Sequence, residues 1–391
     1  METFLSDWQP DFQALLVLVT SAYILGLGWF WRGITPQPAT GQGTPQVSVV
    51  VAVRDEESRV DTLLQGLAAQ TYPAECWEVI VVDDGSADDT AARVVARIGG
   101  TLRLRLLRGT GSGKKAALSQ GIAAARGEII LTTDGDCQVP CAWVAGMAAQ
   151  FGPEVQMVVG FSQIGRPGEA KGLRWGLEAI DFLNLMGAAL GSAGQGCALA
   201  ASGQNLAFRR EAFTQVGGYG PVQHRASGDD VLLLQLIRRQ GGGRIAFATS
   251  ADTFVVHPAL PSWSAFWAQR ARWASNAPYQ LLLNPGFFAY IGVAFSVNLL
   301  LALTPLLVLT GGLSPRGAGV VWGGKVLAEG MLCWRATGFF NRRELRRFFP
   351  WWTLVQPFFL VLAGLLGSLG LFTWKGRKHL WGRRRGAAPG S

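Results

Sequence analysis

The apolar run GEIILTTDGDCQVP, residues 127–140, ends in two carboxylates one position apart, Asp134 and Asp136. Two chemistries fit such a pair: a polar turn that stops a strand, or oxygen ligands for a divalent cation. Acidic residues also follow two earlier apolar runs, as Asp55 and Glu56 after VSVVVAV and as Asp83 at the end of WEVIVVD with Asp84 next to it. Three carboxylate clusters at strand ends favour a shared site over three unrelated turns. Hard oxygen ligands of this kind suit Mg2+ or Mn2+ bridging the phosphate oxygens of a substrate. RGTGSGKKAAL, residues 108–118, is a further anion contact: a Gly-rich turn opening a helix, with Lys114 and Lys115 in the first turn. It is not an ATPase P-loop, because Arg108 stands where the motif needs Gly and Lys115 where it needs Ser or Thr.

The elements that must position these groups follow from periodicity. Strands are expected at 47–53, 77–83, 102–107 and 128–133, and helices at 57–70, 88–98 and 114–126. Their alternation implies an α/β sheet, Rossmann-like and mostly parallel, with helices on both faces. Ligands of such sheets bind beyond the carboxyl ends of the strands, where the acidic clusters fall. Further on, Asp229 and Asp230 precede VLLLQLIRR and fit a helix N-cap. The segment WSAFWAQRARW reads as an amphipathic helix at a membrane interface, aromatics down and arginines at headgroup level. A helix is expected over 169–189, leading into the small-residue segment GSAGQGCALAASG; together they are expected to form part of an acceptor site.

Membrane segments bound the rest. The uncharged stretch 12–31 has about the ~20 residues that cross a bilayer. It follows Glu2, Asp7 and Asp11 and precedes Arg32, which reads as a retained anchor with the next domain in the cytosol. Residues 287–309 and 349–372 read as further spans. Between them, Lys325 and Glu329 lie four apart on one face of a segment that is either a third C-terminal span with a polar stripe or an interfacial helix. The net charge of +9 is concentrated here: residues 286–391 hold 13 Lys and Arg against two acidic residues, whereas the first 285 hold 22 against 24. The excess is a membrane-flank feature and excludes nucleic acid as the expected partner. Five cysteines without paired zinc spacing read as reduced thiols, Cys137 and Cys141 included, and a lone His257 reads as a hydrogen-bonded residue rather than a ligand.

VAVRDEE, IVVDDGSADDT, GSGKKAALSQG, LTTDGDC, SGQNLAFRREAF, SGDDVLLLQLIRRQG and QRARW occur in this order between about residues 47 and 273. Together they resemble a membrane-bound family 2 glycosyltransferase of the GT-A fold, a group that includes ceramide glucosyltransferase and the hyaluronan and cellulose synthases. The resemblance implies that Glu56 and the Asp83/Asp84 pair hold the uracil and ribose of a UDP-sugar, with Lys114 approaching the nucleotide. It implies that Asp134 and Asp136 form the DxD element, Asp136 on the metal and Asp134 near the ribose or the cation. It makes Asp230 the general base, with Asp229 where the family usually has Glu, a substitution that shortens its reach toward the acceptor. In QRARW it places Gln269 at the nucleotide sugar, Arg272 on the pyrophosphate and Trp273 at the acceptor.

The implied organisation is an anchor (1–32), a linker (33–46), a cytosolic GT-A domain (47–260), an interfacial helix (261–284), a C-terminal membrane region of two or three spans (285–374) and a basic tail (375–391). The implied reaction is inverting, metal-dependent transfer of a sugar from a nucleotide diphosphate sugar, a UDP-hexose, to a hydroxyl of a membrane lipid or other hydrophobic acceptor at the cytoplasmic membrane. A processive polysaccharide synthase is the alternative, and a non-catalytic nucleotide-sugar scaffold the rival of another class. The small number of spans favours the lipid acceptor.

Overall fold

The computed structural model describes residues 9–111, 113–169, 172–225, 227–240, 242–370, 372–374, 377–380 and 383–384. The expected acidic N-terminal flank, Glu2 and Asp7, and most of the basic tail lie outside them. Helix α1 (Gln9–Gly33) leads through an extended linker to β1 (Val47–Val53), α2 (Val60–Ala68), β2 (Trp77–Asp83), α3 (Thr90–Val95), β3 (Leu104–Arg108), α4 (Lys114–Ala124) and β4 (Ile129–Asp134). Then come α5 (Trp143–Ala148), β5 (Val155–Gly160), β6 (Ser162–Ile164), α6 (Gly172–Gly194), β7 (Leu206–Arg209), α7 (Arg210–Gln215), α8 (Val231–Arg239), β8 (Arg244–Ala248) and β9 (Val255–His257). The chain continues with α9 (Trp263–Ala274), α10 (Ala277–Leu283), α11 (Pro285–Leu309), α12 (Pro315–Phe339) and α13 (Phe349–Ser368).

The expected alternation is present, with α2 and α3 shorter at both ends than their sequence patterns. Seven strands form one sheet in the order β3-β2-β1-β4-β7-β5-β8. β7 runs antiparallel to both neighbours and the other pairings are parallel. Register carries the acidic clusters to one edge: Val53 pairs with Asp83, Ala52 with Asp134, and Asp83 with Arg108. Because side chains alternate along a strand, Val49, Val51, Val79 and Val81 pack one face against Leu63 and Leu67 of α2, while Val50, Ile80 and Val82 pack the other against Leu118 and Ile122 of α4.

That second face shares its apolar core with the helix bundle. α6 lies between sheet and bundle, its Phe182, Leu183 and Leu190 in one cluster with Tyr23, Leu27 and Phe30 of α1, Leu301 of α11 and Leu332 of α12. α1 and α6 touch backbone to backbone: a Cβ on Gly33 would lie 1.9 Å from the Gly191 carbonyl oxygen, and one on Gly194 2.0 Å from that of Gly33. Only glycine fits at such a crossing.

Among the described residues three helices are long and apolar enough to cross a membrane, at 13–33, 285–309 and 343–368. α12 is as long as α11, but its stripe of Lys325 and Glu329 turns inward to its neighbours. Lys325 Nζ is 2.7 Å from Glu329 Oε2 and 2.8 Å from Gln356 Oε1 of α13, and Tyr23 of α1 donates to Glu329 Oε1 at 2.8 Å. Residues 261–284, expected as one interfacial helix, are two, α9 and α10, with Pro278 near the start of the second. The expectation that its arginines stand at headgroup level is corrected: Arg270 is buried and ion-paired with Asp181 of α6 at 2.7 Å. Once Asp181 is buried it needs a cation, because a buried charge left unpaired is strongly destabilising. Part of the tail pairs as strands, Phe372–Trp374 with Arg377–Leu380 and the latter with Arg383–Arg384.

The buried pair in α12 yields a test of bundle stability. Lys325→Met leaves Glu329 a buried charge without its cation and is expected to cost about 3–5 kcal/mol. Adding Glu329→Gln is expected to recover more than half of it in thermal unfolding of the detergent-purified protein. Equal losses in the single and double variants would show the pair to be uncoupled.

Candidate active site

The site forms where the C-terminal sheet edge meets the start of α8 and the side of α9. Lys114, first residue of α4, reaches across it: its Nζ lies 2.7 Å from Asp134 Oδ1 at the end of β4 and 2.7 Å from Asp229 Oδ2 before α8. One ammonium thus joins two of the acidic clusters. Burial alone would lower the Lys114 pKa, but the Asp134 and Asp229 carboxylates raise it well above its ordinary value. Burial opposes ionisation of Asp229 too, and Lys114 outweighs it, holding that carboxyl below its usual value.

Asp230 differs from its neighbour. Its Oδ1 accepts the Val231 N–H at 2.6 Å, capping α8, and its Oδ2 accepts the Gly203 N–H at 3.0 Å. Burial first, and the adjacent Asp229 charge second, push its pKa up. Two neighbouring carboxylates are therefore driven apart in acidity, the pattern expected when one must stay charged and the other exchange a proton. Asp136 is also raised, by burial and by Asp134, and its Oδ2 is 3.9 Å from Arg59 Nη1.

The first acidic loops are laced together. Asp55, at φ 55°, accepts the Ala87 N–H, and the Glu56 N–H donates to Thr90 Oγ1 at 2.8 Å. Glu56 and Asp84 line the cavity. Asp83 does not, so the expected pair is split: Asp83 Oδ1 accepts from the Ser86 N–H and hydroxyl, holding its own turn. Asp84 Oδ1 accepts the Gly113 N–H at 2.8 Å, occupying one of the amides expected to face an anion.

Lys115 is a second correction. It is buried, and its Nζ donates to three backbone carbonyls, of Val222, Arg225 and Ser227, at 2.8–3.0 Å. It ties down the segment leading to Asp229 instead of offering a cation to a ligand. The Arg225 side chain bonds the Ser275 carbonyl and Asn276, and Ser227 bonds the Arg272 carbonyl at 3.3 Å and Asn276 at 2.7 Å. The segment before Asp230 is thereby fastened to the end of α9.

α9 presents Gln269, Arg272 and Trp273 to the same cavity. Burial lowers the Arg272 pKa, against the pull of Asp229, Asp230 and Asp134. Gln269 Oε1 accepts from Arg270 at 2.5 Å. The Arg270 guanidinium sits 4.6 Å from the Phe266 ring and 4.5 Å from that of Trp273, fixing the indole. Its carboxylate partner, Asp181, also accepts from Trp352 of α13 at 3.2 Å. Sequence reasoning passed over Asp181 and Arg225 and gave Lys115 a different role. For Asp181 a signal existed: Arg174 and Glu178 can pair with each other one turn apart, which leaves Asp181, in the apolar part of the helix, in need of a partner from elsewhere. His257 is buried with Nδ1 3.1 Å from the Pro258 carbonyl, and burial takes its pKa down to about 4, so it stays neutral near pH 7. The five cysteines are free, as expected, and Cys137 lies buried beside Asp136.

Among the described residues no group of three or more His, Cys, Asp and Glu side chains is arranged to hold a metal. A divalent cation of the Mg2+ kind does not need one, since one or two carboxylates and substrate phosphates suffice. Asp136, a quarter exposed and destabilised as an anion by Asp134, fits such a cation.

Comparison with known proteins bears on the fold that carries this site. Residues 48–217 match the model of the family described as Glycosyl transferase family 2. A dodecaprenyl-phosphate galacturonate synthase of Rhizobium johnstonii is 41% identical over 113 residues, 27% of this chain and 33% of the relative. A beta-monoglucosyldiacylglycerol synthase of Synechocystis sp. is 27% identical over 249 residues, 61% and 49% of the two chains. The chain thus spans about half or less of the length of these curated relatives. A mannosyltransferase of Pyrobaculum calidifontis, solved with GDP-Man and Mn2+, superposes with a TM-score of 0.61 over 91% of this chain and 98% of its own, at 22% identity. Residues 48–217 thus match a glycosyl transferase family 2 model, and the chain has a GT-A-type fold beside membrane-length helices.

Proposed function

We propose that the chain transfers a sugar from a nucleotide diphosphate donor, a UDP-hexose, to a hydroxyl of a membrane lipid, with inversion at the anomeric carbon. The observation that carries this reading is the Lys114 bridge, which holds Asp134 and Asp229 at 2.7 Å each in the wall of a cavity that runs into the apolar bundle. The sugar-transfer class and a lipid acceptor are supported by the family 2 domain and by relatives named for prenyl-phosphate and diacylglycerol products. Three membrane-length helices support action at a membrane, and we place the sheet on the cytosolic side of the cytoplasmic membrane.

In this reading Glu56 and Asp84 bind the nucleoside, and Arg272 takes the diphosphate in the bidentate manner of a guanidinium. Gln269 contacts the nucleotide sugar, and Trp273 forms the acceptor platform. Asp136, with Asp134, would hold Mg2+ or Mn2+, which would supply charge neutralisation on the leaving diphosphate. The acceptor hydroxyl gives its proton to Asp230 as its oxygen bonds the anomeric carbon. The bond from that carbon to the diphosphate oxygen breaks, its electron pair leaves with the nucleoside diphosphate, and Arg272 stabilises the growing charge. Asp229 and Lys114 keep Asp230 in place and set its acidity.

Asp230→Asn is expected to lower kcat by about 10²–10⁴-fold with donor affinity nearly unchanged. An enzyme active at the normal rate would remove Asp230 as the base. The base works when ionised, so activity falls as pH drops through its raised pKa. The acid limb of kcat/KM is therefore expected above the ordinary Asp value of about 3.9, and Asp229→Asn, by removing a neighbouring like charge, is expected to move that limb downward. A pH–rate profile of both proteins reads this directly. Lys115→Met frees the segment before Asp229, and displacement of the base by about 1 Å is expected to cost on the order of 10²-fold in kcat. Calorimetry of nucleotide binding by the same variant is expected to match the parent, whereas a parallel loss of donor affinity would place Lys115 in the donor site.

A further inference from the structure

The cavity, about 980 Å3, does not stop at the carboxylates. Its wall passes from Asp230 and Trp273 to Leu185 on α6, Ile291 on α11 and Leu360 on α13. This lower part is mostly apolar, with Asn184, Glu329 and Gln356 also in its wall, and lies among helices long enough to cross a bilayer. Small residues keep it open: Ala188 and Gly292 line it, and a Cβ on Gly292 would meet nothing within 4 Å. The neck is built, not incidental, since Trp273 is fixed by Arg270 at 4.5 Å and lies 6.1 Å from the Phe182 ring.

Charge decides which lipid such a space suits. Among the described lining residues the cations are Arg54, Lys114, Lys115, Arg225, Arg270 and Arg272. Lys114 is matched by Asp134 and Asp229, Arg270 by Asp181, Lys115 by three carbonyls, Arg225 by Ser275 and Asn276, and Arg54 lies 3.6 Å from Asp55. Arg272 is given to the donor diphosphate in the reading above. A second phosphate would face Asp229 and Asp230 across the same space, at a cost of repulsion and desolvation. A hydroxyl brings no charge and donates to a carboxylate.

Resting on the glycosyl-transfer reading, we propose that the acceptor is an uncharged hydroxyl lipid whose hydrocarbon is drawn out of the bilayer into the space between α6, α11 and α13, its hydroxyl held at Asp230. Moving a chain from lipid to protein removes no apolar surface from water. Selection therefore comes from packing and shape, so chain length and bulk are read by the walls of the cavity.

The test uses the full chain in detergent, with native mass spectrometry to measure binding of a C16 diacylglycerol and of undecaprenyl phosphate. Wild-type protein is expected to bind the diacylglycerol at least about tenfold more tightly than the phosphate lipid. Gly292→Trp and Ala188→Phe, which plug the lower cavity, are expected to weaken diacylglycerol binding by about tenfold or more, with Gly292→Ala as the unobstructed control. Calorimetric nucleotide binding within about twofold of wild type confirms that the plugged proteins are folded. Preference for the phosphate lipid, binding of neither lipid, or plugged variants that bind as the wild type does would each overturn the proposal. Failure of the glycosyl-transfer reading looks different: lipid binding and its loss on plugging persist, while no sugar nucleotide is bound or turned over.

Discussion

Everything at the site depends on a single ammonium group. Without Lys114, Asp134 and Asp229 would face each other across the cavity with Asp136 and Asp230 close by, a concentration of negative charge that a folded chain does not tolerate unpaired. With it, two parts of the chain about a hundred residues apart are held to one point. The arrangement also separates the acidities of Asp229 and Asp230, because the cation contacts only the former. Backbone does the rest: Lys115, next in sequence, grips the carbonyls of the segment that delivers those two aspartates. Consecutive lysines at one helix start thus fix both the charges and the chain that carries them.

The second constraint is mechanical. The sheet and the bundle are not joined by a hinge but share a core through α6, whose Asp181 holds Arg270 of α9 and Trp352 of α13 together. α9 is in turn fastened to the segment before Asp230 through Arg225 and Ser227. A displacement of α6 or α13 therefore reaches Arg272 and Trp273 through two or three contacts.

The sheet was legible because its strands are unbroken β-branched runs punctuated by acids and glycines, and register then carried Asp83 and Asp134 to the same edge without further information. The helix ends were less legible, since the acidic loops 54–57 and 83–90 bond one another and consume turns that sequence alone gives to α2 and α3. What a side chain faces was the least legible. Asp83 and Asp84 are chemically alike and adjacent, yet only Asp84 borders the cavity, because Ser86 claims its neighbour. Lys114 and Lys115 divide in the same way. Arg270 was expected in the headgroups because its helix is amphipathic; its partner, Asp181, lies 89 positions earlier, a distance over which no local pattern speaks. The polar stripe of α12 was visible, but which neighbours would receive it depended on Tyr23 and Gln356 from opposite ends of the chain.

The glycine crossing of α1 and α6 has one more implication. With backbones in contact at Gly33, Gly191 and Gly194, no side-chain layer remains there to compress, so the anchor and the central helix move as one body. The acidic edge of the sheet then stands at a set distance from the membrane-length helix α1. Under the proposed reaction that rigidity would fix the position of Asp230 relative to α1, so the acceptor would have to come to the carboxylate rather than the reverse.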